Sequence, residues 1–244
     1  RRWNIDVNAI TTSSGTLTKE DVIAYYEQYI KKDNTPPPGM EPLPATRQAM
    51  ALSMTSSQQE VVATSIFDTS DINNWDNNQN MTIRMMQAII TACEKEPILN
   101  SHLDYATLSY QTFKNINLAI AVDTQHGLYA PVIKDLNRLS PQAIREKINH
   151  YKKAAQDKAI QQDDLTGATI TLSNFGVIAG IHATPIIVPP SVAIIGVGKS
   201  KKEVVATDDN NIEIHTTIPI SLSFDHRLVT GGEAARFLKA MTEH

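Results

Sequence analysis

Five of the fifteen residues between Lys31 and Ala45 are proline, in the stretch KKDNTPPPGMEPLPA, and this feature limits the fold of the chain most strongly. Proline cannot continue a helix or pair within a central strand. Runs of this kind favour an extended, semi-rigid spacer. We therefore predict a linker over residues 32–45, which separates a small module at 1–31 from a main domain at 46–244.

The residues before the linker predict one short helix. The stretch TTSSG has turn chemistry, and Thr18 follows it as a candidate N-cap, with acidic residues in the first helical turn. Apolar side chains then recur at helical spacing along one stripe: Val22, Tyr25, Tyr26 and Tyr29. A single helix of this length buries too little surface to fold alone. Residues 1–31 are therefore predicted to be part of a module, not a whole domain.

Helices and strands follow one another irregularly through residues 46–244. The predicted helices lie in RQAMALSMTSSQQEV, in MTIRMMQAIITACEKEP, after Ser140-Pro141, and in GGEAARFLKAMTEH. The predicted strands lie in VVATSIFDTSDI, in NLAIAVDTQHGLYAPVIKDL (two strands around a turn at Gly127), in GATITLSNFG, in SVAIIGVGK and in NIEIHTTIPISLSFD. Because strands and helices do not alternate regularly, we predict an α+β fold and not a doubly wound sheet.

Two of these elements have a predicted face. Serine followed by proline at the first helical position marks a helix start at Ser140. The face of that helix is predicted to consist of Ile144, Ile148, Tyr151, Ala155 and Ala159. Alternation along the last long strand places four side chains on one face: Ile212, Ile214, Thr216 and Ile218.

Charge and cysteine content exclude several classes of protein. The net charge of −4 argues against a nucleic-acid-binding protein, which usually carries a basic excess. Cys93 is the only cysteine, so an internal disulfide and a multi-cysteine zinc site are excluded, and a reducing compartment is favoured. No apolar run reaches the roughly 18 residues of a membrane-spanning helix. Five histidines have no partner at metal-ligand spacing, such as positions i and i+4 on one helix: His102, His126, His150, His182 and His215. We expect no metal, nucleic acid or membrane partner.

The stretch SFDHRLVTGG carries the first chemical candidate, His226. It follows a long strand and precedes a glycine pair and a helix, so the imidazole can protrude from a rigid strand end into a cleft. Its usual pKa suits proton transfer near neutral pH. The same residues also fit a polar histidine at a strand end that has no catalytic role, and residue types alone leave both interpretations open.

The stretch TLSNFGVIAG carries the second candidate. Ser173 and Asn174 end a predicted strand and can donate hydrogen bonds to an oxyanion. Serine and asparagine are also common at ordinary strand-to-turn exits, where they bond locally. The surrounding residues do not match the Gly-x-Ser-x-Gly motif of serine hydrolases.

Taken together, four stretches are similar to the dihydrolipoyl acyltransferases, the core components of 2-oxo acid dehydrogenase complexes. LSFDHRLVTGGEAARF resembles their C-terminal signature, roughly Asp-His-Arg-x-x-Asp-Gly followed by an alanine-rich helix. Three further blocks match in the same order: RQAMALSMTSSQQEVVATSIFDTSDI, INLAIAVDTQHGLYAPVIKD, and TLSNFG with ATPIIVPPSVAIIGVG. DVNAITTSSGTLTKEDVIAY looks like the second half of their peripheral subunit-binding domain, so residues 1–31 are expected to be a partial copy of that domain.

The resemblance implies a chloramphenicol acetyltransferase-like two-layer fold with a mixed β-sheet. It implies that an acyl group moves between coenzyme A and a dihydrolipoyl arm, whose lipoyl group sits on a domain that this sequence does not contain. Members form homotrimers that build cores of 24 or 60 subunits and bind decarboxylase and dihydrolipoyl dehydrogenase components. The active site of the family lies in a channel between subunits. The implied location is the bacterial cytoplasm, or the mitochondrial matrix if the chain is eukaryotic.

The resemblance also implies roles for single residues. His226 would be the general base, and Ser173 of a neighbouring subunit would donate a hydrogen bond to the oxyanion. Thr230 stands where the family has an aspartate, so this position of the candidate catalytic set offers a neutral hydroxyl in place of a carboxylate.

Five further residues have expected roles. Asn174 and Gly176 are expected to bind substrate, while Asp225, Arg227 and Gly231 are expected to support the strand end locally. The acyl group is expected to be acetyl, with a branched-chain acyl group as the alternative. A free-standing chloramphenicol-type acetyltransferase is a second alternative, and a core scaffold that lost catalysis through Thr230 is a third.

Overall fold

The computed structural model describes residues 37–75, 80–125, 127–207 and 209–244, together with Thr18 and Asp21. Apart from those two residues, the predicted module over 1–31 lies outside the described residues. The Asp21 backbone N–H donates to the Thr18 hydroxyl at 3.2 Å, and the Thr18 hydroxyl donates to the Asp21 carboxylate at 2.8 Å. These are the hydrogen bonds expected of an N-cap at Thr18.

A compact unit spans Ala45–His244. Its helices are α1 (Ala45–Glu60), α2 (Met81–Lys95), α3 (Pro141–Gln156) and α4 (Gly231–Thr242). Its strands are β1 (Ala63–Asp71), β2 (Ser101–Asp104), β3 (Ser109–Thr112), β4 (Leu118–Ile120), β5 (Val122–Thr124), β6 (Gly127–Tyr129), β7 (Val132–Ile133), β8 (Ile170–Asn174), β9 (Ala193–Val197), β10 (Lys201–Ala206) and β11 (Ile212–Asp225). Within the described ranges, no helix combines the length and the apolar character that a bilayer crossing requires.

The main sheet has the strand order β1-β11-β9-β8-β4-β7, and β10 pairs with the first half of β11. The pairs β4–β8 and β8–β9 are parallel, while β11 runs antiparallel to both β1 and β9. Two short hairpins, β2–β3 and β5–β6, lie outside this sheet. The mixed sheet confirms the predicted α+β class.

Helices α2, α3 and α4 supply the apolar side chains that cover the sheet. Their buried residues recur three or four positions apart, which places them on one face of each helix: Met85, Met86, Ile89 and Ala92 in α2, Ile144, Ile148 and Tyr151 in α3, and Ala234, Phe237 and Met241 in α4. They join Phe224, Leu222 and Ile220 of β11 in one core cluster. Each large side chain buried in this way contributes about 1.5–3 kcal/mol to stability.

The predicted start of α3 is confirmed, but its predicted end is wrong. The Ser140 side chain accepts from the Ala143 N–H, with Pro141 as the first helical residue. The helix ends at Gln156, and Ala159, predicted to extend its apolar face, is exposed. Lys158 adopts a left-handed conformation with φ of 56°, which turns the chain away before Ala159.

One strand prediction needs correction. The region around Gly127 forms four short strands and not two, because β4 and β7 belong to the main sheet while β5 and β6 form a separate hairpin. The hairpin β2–β3 and the strand β10 were not predicted. The predicted face of Ile212, Ile214, Thr216 and Ile218 agrees with the continuous strand β11. Ile212 and Ile214 are 79% and 66% exposed, in contrast to the fully buried Ile218. β1 ends at Asp71, opposite Thr217, so the first part of β11 extends beyond β1.

Candidate active site

The C-terminal end of β11 holds His226 at a rigid position. Asp225 is the last residue of the strand and lies in register with Ala63 of β1. Its backbone N–H donates to the Val192 carbonyl at 2.9 Å, and the His226 N–H donates to the Val62 carbonyl at 2.9 Å. The backbone is therefore held from both neighbouring segments, while the His226 side chain is exposed. This arrangement presents an imidazole from a fixed main chain at the end of the predicted strand.

Asp225 and Arg227 form an ion pair on either side of His226. The Asp225 side chain is almost fully buried, and Arg227 donates to both of its oxygens, at 2.9 Å from Nε to Oδ1 and at 2.6 Å from Nη2 to Oδ2. The Arg227 backbone N–H also donates to Oδ1 at 3.1 Å. The hydrogen bonds to Asp225 and the nearby Glu60 charge raise the pKa of Arg227. The pair neutralises a buried carboxylate and fixes the turn that follows β11.

Thr230 is the N-cap of α4. Its hydroxyl accepts from the Glu233 N–H at 3.3 Å and donates to Glu233 Oε2 at 2.7 Å, and its backbone N–H donates to the same oxygen at 2.7 Å. This reciprocal set is a capping box. The hydrogen bonds from the Thr230 backbone and side chain lower the pKa of Glu233. The only hydroxyl proton of Thr230 is therefore engaged by Glu233 and does not point at a substrate. Next to it, a side chain at Gly231 would meet open space.

We expect Thr230→Ala to lower the free energy of unfolding by about 1 kcal/mol, because an N-cap contributes that much to a helix. Thr230→Ser keeps the hydroxyl and serves as the matched control. Urea denaturation of the protein measures both variants. A Thr230→Ala variant with unchanged stability would contradict the capping role.

Ser173 lies in the same sheet as His226 but far from it. Ser173 of β8 is in register with Gly196 of β9, which is in register with Ser221 of β11. Two strand spacings of about 4.8 Å and five residues at about 3.3 Å each then separate Ser173 from His226 by about 19 Å. One chain therefore does not bring these two predicted site residues together.

Gly176 has a packing role that its sequence context did not reveal. A Cβ at this position would lie 2.1 Å from the Gly198 carbonyl oxygen, and the Gly176 N–H donates to the Val197 carbonyl at 3.0 Å. Only glycine permits two backbone segments to approach so closely. This contact accounts for a glycine at 176 without any substrate.

One cavity lies along the strands that lead to His226, and another is lined by the predicted site residue Asn174. One has a volume of about 450 Å³ and is lined by Ser223, Ala63, Ser65, Phe67 and Ile186, among others, so it lies beside the strand end that carries His226. The other has a volume of about 340 Å³ and is lined by Asn174, Asp123, Lys152 and Val177, among others. Both volumes lie within the range of small-molecule sites. Asn174, which was expected to bind substrate, therefore faces a cavity large enough for one.

Other nucleophilic and metal-binding chemistry finds little support in the part of the chain that the structure describes. Burial raises the pKa of the Cys93 thiol, so this cysteine is not a ready nucleophile. Among the described residues no group of three or more His, Cys, Asp or Glu side chains can hold a metal ion. His215 bonds to Asp71 and Glu213, and His126 lies outside the described residues. Cys93 and His215 therefore offer no clear alternative to His226.

Tyr105 is a neighbour of the site that the sequence did not indicate. The Arg227 guanidinium carbon lies 4.6 Å from the centre of the Tyr105 ring. Tyr105 belongs to the turn of the β2–β3 hairpin, which the sequence did not predict, so no sequence signal linked it to His226.

Comparison with known proteins supplies related sequences. A family model for the catalytic domain of 2-oxoacid dehydrogenases acyltransferase matches residues 36–244. A dihydrolipoyllysine-residue acetyltransferase component of the pyruvate dehydrogenase complex from Mycoplasma capricolum is 33% identical over 211 residues, covering 81% of this chain and 48% of that protein. A dihydrolipoyllysine-residue succinyltransferase component of the 2-oxoglutarate dehydrogenase complex from Rickettsia bellii is 37% identical over 158 residues, covering 65% and 39%. The chain spans less than half the length of these curated relatives.

Solved structures with the same fold are also found. Azotobacter vinelandii dihydrolipoamide acetyltransferase, studied for the roles of a serine, a histidine and an asparagine in catalysis, matches with a TM-score of 0.78 and 28% identity over 84% of this chain and 90% of that one. The cubic core of a pyruvate dehydrogenase multienzyme complex matches with the same score, identity and coverage. A chloramphenicol acetyltransferase matches with a TM-score of 0.51 and 13% identity over 79% and 92%, which confirms the predicted fold alone.

Proposed function

The chain belongs to the 2-oxoacid dehydrogenase acyltransferase family as a catalytic domain, and we propose that it transfers an acyl group between a dihydrolipoyl thiol and coenzyme A. The observation that carries this proposal is His226, an exposed imidazole on a strand end whose main chain is bonded on both sides. A cavity of about 450 Å³ lies beside that strand end.

The proposed reaction needs one base. His226 takes the proton from the attacking thiol, whose pKa near 8.5 lies close enough to that of imidazole for efficient transfer. The thiolate attacks the thioester carbonyl of the other substrate and forms a tetrahedral oxyanion. Collapse of that intermediate expels the second sulfur as a thiolate, which recovers the proton from His226. The acyl group has then changed sulfurs, and the base is regenerated.

We propose that Ser173 of a neighbouring subunit donates to the oxyanion. The separation of about 19 Å within one chain, derived from the sheet register, requires a second copy for any joint site. In the A. vinelandii protein the studied serine precedes the studied histidine by roughly fifty residues, and the asparagine follows it by four. Ser173, His226 and Thr230 have closely similar spacing here. Thr230 differs from that asparagine, and its hydroxyl is used by Glu233.

A shared site implies an assembly. We propose a homotrimer, in which each subunit gives His226 to one site and Ser173 to the next. The similarity to the cubic core of a pyruvate dehydrogenase complex supports further assembly into a core of 24 subunits, with 60 as the alternative. Decarboxylase and dihydrolipoyl dehydrogenase components are the proposed partners, with residues 1–31 as part of a subunit-binding module. The relatives named above are bacterial, which favours a bacterial cytoplasm over a mitochondrial matrix.

We propose acetyl as the acyl group. The relatives include both acetyl- and succinyltransferases, so their names do not decide between the two. The described residues that line the cavity beside β11 include Phe67, Ile186 and Ile187 but no lysine or arginine. A succinyl carboxylate in that cavity would lose water without gaining a cationic partner, which is costly. A short uncharged acyl group has no such cost.

Comparison of acetyl-, isobutyryl- and succinyl-coenzyme A as donors to dihydrolipoamide tests this proposal. We expect kcat/KM for acetyl-coenzyme A to exceed that for succinyl-coenzyme A by at least about tenfold, because an unpaired buried charge costs more than one order of magnitude in binding. Sedimentation of the same sample checks the size of the particle. A higher kcat/KM with succinyl-coenzyme A would contradict the acetyl assignment, and a failure of all three donors would contradict acyl transfer itself.

A further inference from the structure

We propose that Tyr105 is a positioning residue for His226, acting through Arg227 and Asp225. This inference rests on the proposed role of His226 as the general base. The ring of Tyr105 lies 4.6 Å from the Arg227 guanidinium carbon. Arg227 in turn makes the two-pronged ion pair with Asp225. His226 is the residue between the two members of that pair.

The ring contact with Arg227 is the first reason to assign Tyr105 a role at the site. The side chain is 62% exposed at the turn of the β2–β3 hairpin, so burial in the core does not explain an aromatic residue there. An exposed ring that lies over a guanidinium gains a cation–π interaction. Arginine favours such stacking because its planar group can pair with a carboxylate in its plane while its face contacts a ring.

The hairpin that carries Tyr105 is itself fixed in place. Asp104 accepts from the Ala106 N–H at 2.9 Å and from the Thr107 hydroxyl at 2.8 Å, which defines the turn. The Leu103 N–H donates to the Pro190 carbonyl at 2.9 Å. Two residues further along, the Val192 carbonyl accepts from the Asp225 N–H. The hairpin and the end of β11 are thus attached to the same segment, and Tyr105 adds a side-chain link between them.

Loss of the ring has a defined consequence for the base. Arg227 keeps its bond to Asp225 but loses the group that limits its motion on one face. The Asp225 carboxylate is buried and depends on Arg227 for its positive partner. Looser pairing there allows the turn around His226 to sample orientations in which the imidazole does not face the thiol. Because misplacement affects the chemical step and not substrate binding, kcat should fall while KM stays constant.

The test compares Tyr105→Leu with Tyr105→Phe in the full assembled chain, with acetyl-coenzyme A and dihydrolipoamide as substrates. We expect Tyr105→Leu to lower kcat about two- to fivefold, the range that an exposed cation–π contact corresponds to, with both KM values unchanged. Tyr105→Phe keeps the ring, so its kcat should equal that of the parent protein. Tyr110→Leu is the matched control, because Tyr110 is an equally exposed tyrosine of the same hairpin, at 59%, and should leave kcat unchanged.

A double-mutant cycle separates positioning from a general effect on structure. Arg227→Met removes the guanidinium, so adding Tyr105→Leu to it should lower kcat no further. Four results would each overturn the inference. Two concern the combinations: additive losses of kcat in the double variant, or equal losses for Tyr105→Phe and Tyr105→Leu. The other two concern Tyr105→Leu alone: a rise in KM in place of a fall in kcat, or no change in either. His226→Ala is measured alongside. If that variant retains full activity, the proposed function fails, whereas an inactive His226→Ala beside a normal Tyr105→Leu overturns the role of Tyr105 alone.

Discussion

His226→Ala should reduce acyl transfer between coenzyme A and dihydrolipoamide by about a hundred- to ten-thousandfold, the contribution of a positioned general base. The imidazole is exposed, while the backbone that carries it is bonded to Val62 and, through Asp225, to Val192. Removal of the side chain therefore deletes the base and leaves the strand end in place. The change is measured as kcat/KM with acetyl-coenzyme A at fixed dihydrolipoamide.

The pH dependence of the variant gives a second readout. Without a base, the reaction depends on thiolate formed by the solvent, so the residual rate should rise about tenfold per pH unit below the thiol pKa of about 8.5. His150→Ala is the matched control, because His150 is an exposed histidine of α3 and should leave the rate unchanged. A His226→Ala variant with more than about a tenth of the parent rate would not be compatible with general-base catalysis by this residue.

Local signals in the sequence were enough to place His226 at the end of a strand. Alternation along NIEIHTTIPISLSFD predicted β11, and the glycine pair before an alanine-rich stretch predicted the start of α4. Ser140 was likewise recognised as an N-cap from its proline neighbour. Each of these features depends on residues that are close together in the sequence, and for that reason they could be predicted from the sequence alone.

Features that depend on the order of strands were beyond the sequence. Ser173 and His226 are 53 positions apart in the chain, and only the register through β9 shows that they are also far apart in space. The β2–β3 hairpin consists of two four-residue strands with weak apolar alternation, so neither the hairpin nor the stacking of Tyr105 on Arg227 was predicted. The end of α3 was missed because a left-handed Lys158 turns the chain before Ala159.

The second large effect is expected for Ser173→Ala, which should lower kcat about a hundred- to a thousandfold because it removes a donor to the oxyanion. More can be learned by combining it with His226→Ala in one particle. If each site takes His226 from one subunit and Ser173 from the next around a closed trimer, co-expression of the two variants in equal amounts makes some sites that are intact. At each site, the subunit that supplies His226 carries an intact histidine in half of the cases, and the subunit that supplies Ser173 carries an intact serine in half of the cases. About a quarter of the sites therefore recover full activity.

Co-expression of the parent chain with a chain that carries both substitutions is the matched control for this experiment. Sites that join two subunits should again be intact in about a quarter of cases, whereas sites contained in one subunit would be intact in half. Within one chain the sheet register separates Ser173 from His226 by about 19 Å, too far for both to contact one tetrahedral carbon. The proposal would be contradicted if the mixture of single variants stays as inactive as its components and the control shows half activity. Ser173 of a second subunit would then not be part of the site.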